Sequence, residues 1–374
     1  MNILYIYPSP VTIQDDGKEG FIDLAGSEKW MPSLTIKKGY PAELWAVGNR
    51  NVQTHWQYDD LPSLPVRVFS AEQSVHTPDV ESSPPYEAGK TNGKHDQHIP
   101  LSLIRALQSG DFDFFVLQGL NSALAVSLAK QHLLAQNRPF AVIHENNEYN
   151  RILSRAVAVC YNTTAQKEIL SRRGIRFWRK PVSPDKLIQL PKSVDTRHFQ
   201  PDLQQEKKWD LLGMCQTMDD EKRLAPLFQL SRRHRVAIAG KGPLLGRFEK
   251  KYPEINWLGD VSYAERPGIL NSSRVFFHCG LNDPFPMPIV EAAACGVPPV
   301  VFSEAVEEEI IPEKIGLRIP GRSFSSAIAT LLEDRATLEK MSRDARKHAC
   351  EKWHHLSSKE TVTRLLQHVH AALR

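Results

Sequence analysis

Short runs of β-branched and aromatic residues recur along the chain, separated by longer amphipathic stretches. Ile3–Tyr7, Ala42–Val47, Phe112–Leu117, Phe140–His144, Ala156–Cys160 and Leu187–Leu190 read as buried strands. Leu101–Gln108, Asn121–Ala135 and Thr163–Arg173 carry helical spacing between them, the last with Asn162 as its predicted cap. Residues 193–208 are polar and irregular and read as a linker. A second series follows, with strands at Trp209–Cys215, Val236–Ala239, Ile255–Leu258, Val275–His278 and Pro299–Phe302. Three helices close the chain, at Arg322–Leu332, Arg335–Cys350 and Leu356–Leu373. Strand–helix alternation predicts α/β architecture, with two doubly wound, Rossmann-like domains facing across a cleft. The expected division is 1–192 for the first domain, 193–208 for the linker and 209–352 for the second. Residues 353–374 form a C-terminal helical segment.

One segment breaks the pattern. Ser70–Pro100 is polar and rich in Pro, Ser and Gly, and is expected to be a long mobile loop. His95 and His98 within it have ligand-like spacing but no partner cluster, so a solvated loop is the simpler reading.

Composition narrows the class. The 374 residues are 41% apolar and 24% charged, as in a soluble globular protein with enough chain for two cores. A net charge of +4 is too small to define a nucleic-acid binder, but suits phosphates or an anionic membrane surface. The five cysteines are scattered without a C-x-x-C pair, so reduced thiols in a cytoplasmic protein are expected. No run reaches membrane-spanning length. The first ten residues read as a strand, not as a signal peptide.

The candidate chemistry concentrates in Asp283–Val301, DPFPMPIVEAAACGVPPVV. The run Arg274–Cys279 before it is a strand, Ile289–Cys295 a helix stopped by Gly296, and Val297–Phe302 another strand. Asp283 and Glu291 stand with seven residues between them at the strand-to-helix end of this βαβ unit, where open α/β sheets bind ligands. A second loop, AGKGPLLG at Ala239–Gly246, approaches a dinucleotide fingerprint, with Asp260 downstream. Its third glycine comes one position late, which argues against a dinucleotide site and leaves a phosphate-side loop. The run SRRGIRFWRK at 171–180 combines cations and aromatics, and reads either as a surface for anionic lipid or acceptor or as a solvated face.

Several segments taken in order resemble glycosyltransferase family 4, whose members have the GT-B fold. These are PKSVDTRHFQP from Pro191, VAIAGKGP, INWLGDVSYAERPGIL from Ile255, DPFPMPIVEAAACGVPPVV, and Trp353 before the last helix. The resemblance implies a retaining transfer of sugar from a nucleotide-diphosphate sugar held by the second domain. The acceptor, on the first domain, would be a glycan, a lipid-linked group or a small molecule, in surface polysaccharide or glycoconjugate synthesis. The last helix would cross back to the first domain. It implies that Glu291 holds the ribose or leaving side of the donor and Asp283 its sugar hydroxyls. Lys222, with Arg223 in support, would contact the diphosphate, and His144 would stand near the reacting sugar. Gly240 and Gly242 would belong to the donor loop, and Phe285, Met287, Ile289 or their neighbours would offer backbone N–H groups. No tightly bound cofactor and no metal are expected. Location would be cytoplasmic, with peripheral contact at the membrane's inner face.

Three positions depart from the family pattern. Asp283 replaces the usual Glu. Thr217 stands where an Arg would precede Lys222 by five. Pro286 and Pro288 remove N–H donors where phosphate should lie. These departures leave a second reading open, a GT-B binding or scaffold protein with impaired catalysis. A DNA-modifying glycosyltransferase is a third, and the weak net charge argues against it.

Overall fold

The computed structural model describes every residue except 12, 15–20, 23–26, 49–50, 59–60, 71–73, 77–97, 121–122, 146–148, 173–179, 219–220 and 281–284. The chain divides into two compact units. The first is Met1–Pro191 together with Ser358–Arg374, and the second is Lys192–Ser357.

The first unit is built on an eight-stranded sheet. Its strands are β1 (Ile3–Val11), β2 (Ala42–Gly48), β3 (Val52–Tyr58), β4 (Leu61–Ser70), β5 (Phe114–Gln118), β6 (Phe140–Ile143), β7 (Ala158–Tyr161) and β8 (Leu187–Gln189). They lie in the order β8-β7-β6-β5-β1-β2-β4-β3. All pairings are parallel except β3 with β4. Near-continuous apolar strands such as β5 and β6, buried at every position, are what a sheet covered on both faces requires.

The hairpin β3–β4 was not evident in the sequence, because Pro62 and Pro65 spoil its pattern. The register explains their tolerance. Pairing of β4 with β2 begins only at Val66, so the prolines lie where β4 has a neighbour on one side alone. The helix expected over Asn121–Ala135 is also altered. An α-helical turn at Ala123–Ser127 widens into a π-helical stretch, Leu128–Leu134. Ala135 N–H there donates to Lys130 O, five residues back, and Leu128 and Leu133 align in the core. The cap of helix Thr164–Ser171 is Thr163, one residue later than expected. Thr163 and Gln166 form a reciprocal capping box, which an Asn at the preceding position cannot close. In the polar segment, Ser74–His76 pairs with His98–Pro100, while 77–97, including His95, lie outside the described residues.

The C-terminal helix, Lys359–Leu373, belongs to this first unit. It buries Val362, Leu365, Leu366 and Val369. Thr361 Oγ1 donates to Gln189 O at 2.7 Å, and the Tyr40 hydroxyl meets His370 Nε2 at 2.8 Å.

The second unit carries six parallel strands, β9 (Trp209–Thr217), β10 (Val236–Lys241), β11 (Asn256–Gly259), β12 (Ser273–His278), β13 (Pro299–Phe302) and β14 (Leu317–Ile319). Their order is β11-β10-β9-β12-β13-β14. Alternation along the strands feeds two cores. Leu211, Ile238, Val275, Phe277 and Val300 face one side with Phe248, Phe324 and Ile328. Leu212, Ala237, Phe276 and Val301 face the other with Ile289, Val290, Ala345 and Trp353. The strand order reverses between β9 and β12. The crevice at the carboxyl ends of those two strands is therefore the switch point at which such sheets take ligands.

Candidate functional site

Four loops converge on the carboxyl edge of the second sheet. The first follows β9 and leads into helix α1 (Glu221–Leu230). Lys222 lies in that helix, with its side chain outside the description, as is that of Thr217. Arg223 is half-buried, and its guanidinium acts on the Cys279 thiol just beyond β12. Burial and the neighbouring Cys215 push that thiol well up, against the opposing pull of Arg223.

The second loop follows β10. Gly240 has φ +142° and Gly242 φ +151°. A Cβ on Gly240 would overlap the Cys215 carbonyl, and one on Gly242 the backbone of Met218. Close packing against the chain after β9 is thus sufficient to demand both glycines. Gly246 has open space around its α-carbon. Asp260, the acidic residue of the near-fingerprint, is held by Lys241 at 2.6 Å.

The third loop joins β11 to the short helix Arg266–Asn271. Tyr263 stacks on His198 with ring centroids 4.7 Å apart, and the Arg266 guanidinium lies 5.7 Å from the centre of the Tyr263 ring. Arg266 Nη1 donates to Glu291 Oε1 at 3.2 Å. Glu291 sits in helix α2 (Met287–Ala294) and is 0% exposed.

The fourth loop runs from β12 to α2. Asp283 lies outside the described residues. Phe285 is half-buried and meets Trp353 edge-on, centroids 6.1 Å apart. Pro286 is the N-cap of α2, and Pro288 occupies its first turn. Ile289 N–H turns back to Pro286 O at 3.2 Å. Of the four residues from Pro286 to Ile289, two have no N–H and one is bonded, so Met287 alone offers a donor outward.

His278 ends β12. By alternation it faces the same side as Phe276, the side on which α2 packs. It is 7% exposed, and neither ring nitrogen has a hydrogen-bond partner among the described residues. Burial alone lowers its pKa to about 4, so the ring is neutral. Gly280 lies against it, and a Cβ there would stand 2.5 Å from His278 Nε2.

In the first unit, His144 follows β6 at the carboxyl edge of that sheet. Its backbone N–H donates to Cys160 O at 2.8 Å, and its buried Nε2 has no partner among the described residues. Burial lowers its pKa to about 4. Gln118 ends the adjacent strand β5 in register with Ile143, the residue before His144, and is fully buried.

The structure therefore gathers Arg223, Gly240, Gly242, Phe285, Met287 and Glu291 at one edge of the second sheet, with His144 at the corresponding edge of the first. Arg266 and His278 are additions. The sequence signal for His278 was slight, a polar residue closing the apolar run RVFF. Arg266 had none. Among the described residues no group of three or more His, Cys, Asp or Glu side chains could hold a metal ion, and no helix is long and apolar enough to cross a membrane.

Two parallel-sheet units of this kind make up the GT-B fold, and solved structures of that fold superpose along the whole chain. Sucrose-phosphate synthase from Thermosynechococcus elongatus matches at TM-score 0.68 and 14% identity, covering 99% of each chain. HepE from Anabaena, solved with UDP and glucose, matches at TM-score 0.63 and 15% identity over 98% of this chain and 99% of that one. TarM from S. aureus, in a structure containing UDP, matches at TM-score 0.61 and 11% identity over 99% and 100%. Residues 222–348, within the second unit, match the family model described as glycosyl transferases group 1. A phosphatidylinositol N-acetylglucosaminyltransferase chain of Arabidopsis thaliana is 25% identical over 178 residues. That match takes in 42% of this chain and 36% of the relative, so the chain spans about a third of the relative's length.

Proposed function

We propose that the protein is a glycosyltransferase that moves a sugar from a nucleoside-diphosphate sugar to an acceptor hydroxyl, with retention of anomeric configuration. The observation that carries this is Glu291, a fully buried carboxylate in α2 held by Arg266 beside the switch point of a group 1 domain. The UDP and UDP-glucose found in HepE structures support a uridine-linked hexose as the first donor to test.

Donor binding falls to the second unit. Glu291 holds the ribose side, Asp283 the sugar hydroxyls, and Lys222 and Arg223 the diphosphate. The Gly240–Gly242 loop and the N–H groups of Phe285 and Met287 complete the cradle. The anomeric C–O bond breaks with its electron pair leaving on the diphosphate. The acceptor oxygen bonds to the same carbon from the face of departure, and its proton passes to a diphosphate oxygen. Cations and N–H donors facing the leaving group stabilise the charge that develops there. His144, neutral at pH 7, contacts the reacting sugar through its ring. The acceptor is a glycan, lipid-linked group or small molecule of surface polysaccharide or glycoconjugate synthesis, met in the cytoplasm or at the inner membrane face.

Calorimetry with UDP, GDP and ADP, followed by NMR of products from the matching sugar nucleotides, tests this reading. One diphosphate should bind, and an α-linked donor should yield an α-linked product. Binding of no nucleoside diphosphate would sink the proposal, and an inverted product would remove the retaining mechanism.

A further inference from the structure

We propose that His278 is a contact of the donor's leaving diphosphate, its ring N–H donating to a phosphate oxygen at the carboxyl end of β12. The inference rests on the donor-site reading of the second unit, and it adds a residue to which neither the family match nor the motif assigns a role.

Three independent features converge on it. The first is a shortage of donors. An anion at a helix N-terminus is ordinarily held by the free N–H groups of the first turn. In α2, Pro286 and Pro288 have none and Ile289 has turned back on Pro286, which leaves Met287. A diphosphate carries more oxygen acceptors than that N–H and the one of Phe285 before the helix can serve. The second is an orphaned donor close by. His278 is 7% exposed with neither ring nitrogen satisfied among the described residues, on the face of β12 that α2 covers. A buried polar group without a partner is costly, and in a native structure it calls for an explanation, of which a bound ligand is one. The third is the room left for it. Gly280 has no side chain to stand over His278 Nε2, where a Cβ would come within 2.5 Å.

A neutral imidazole suits this place. It adds a directed hydrogen bond where the chain's path has removed two, and it brings no fixed positive charge for the product diphosphate to hold on to. Cationic attraction is left to Arg223 on the opposite face of the strand.

The test uses the full-length chain and calorimetric titration with UDP, alongside uridine measured by competition and thermal melting of each free protein. His278→Phe keeps the ring volume and removes both nitrogens. It should weaken UDP about tenfold, leave uridine unchanged, and leave the free protein at least as heat-stable as the parent, because an unmet polar group has gone. His278→Gln, which restores an N–H donor, should recover part of the loss. Gly280→Ala should weaken UDP by displacing the ring. If His278→Phe fails to fold, His278→Leu supplies the same reading. UDP bound equally by parent and variant would overturn the inference and leave the donor site standing, and so would an equal loss for uridine. A parent that binds none of UDP, GDP and ADP would remove the donor reading itself, and this inference with it.

Discussion

Arg266 and Glu291 form an ion pair at 3.2 Å in which the carboxylate is wholly buried and the guanidinium 27% exposed. The pair ties the helix Arg266–Asn271 to α2. Deleting one partner of a buried pair strands the other's charge, at about 3–5 kcal/mol. Arg266 keeps some solvent contact, so Arg266→Ala should cost nearer the lower end of that range. Urea denaturation of the second unit measures it. A change under about 0.5 kcal/mol would show that water already screens the carboxylate.

Gly240, near the end of β10, and Gly246, beyond it, should behave in opposite ways. Gly240→Ala puts a Cβ onto the Cys215 carbonyl, with φ in the left-handed region. It should destabilise by about 2 kcal/mol or more, on the scale of the larger single-site effects. Gly246→Ala meets nothing within 4 Å and sits in the helix Leu245–Lys251, so it should stabilise by up to about 1 kcal/mol. Denaturation midpoints of the two variants separate the cases. Similar losses in both would show that Gly246, like Gly240, is closely packed.

Acid should weaken both units through their buried histidines. His144 and His278 are lowered by burial from the ordinary 6.5 to about 4. Between those values the unfolded chain binds more protons than the folded one, so stability rises with pH there. The contribution is intact above about pH 6.5 and is lost as pH falls toward about 4, by up to about 3 kcal/mol per group. Urea midpoints should therefore drop between about pH 7 and pH 5. His144→Gln should flatten the drop for the first unit; an unchanged slope would mean that His144 is hydrated.

Thiol chemistry should be confined to one residue. Cys350 is exposed, whereas Cys160, Cys215, Cys279 and Cys295 are buried. Burial raises Cys160 and Cys295 to about 12, with Glu291 adding to the effect at Cys295. Ellman's reagent should titrate one thiol quickly in native protein and five in denaturant. A second fast thiol would reveal local opening.

Much of the architecture was legible in the sequence because parallel strands buried on both faces announce themselves as apolar runs. RVFFHC and VVF did so. The β3–β4 hairpin did not, since its prolines are harmless only in a register that no local pattern displays. The π-helical turn at Leu128–Leu134 was hidden for a similar reason, because helical spacing fits either winding. In the candidate site, Glu291 stood out as a lone carboxylate in an apolar helix. Its partner Arg266 did not, because a pairing across 25 positions depends on how two helices pack. His278 acquires meaning only when its two nitrogens are seen to lack partners. Asp283 and the 171–180 run remain sequence-level expectations, since Asp283 and residues 173–179 lie outside the described residues.

The helix Lys359–Leu373 has a consequence for synthesis. It completes the core of the first unit, yet it is made after the whole of the second. The ribosome therefore delivers the whole of the second unit while the first unit still exposes the seat for Val362, Leu365 and Val369. Until those residues emerge, that seat is a sticky surface that chaperones can recognise, and the emergence of Lys359–Leu373 ends that exposure.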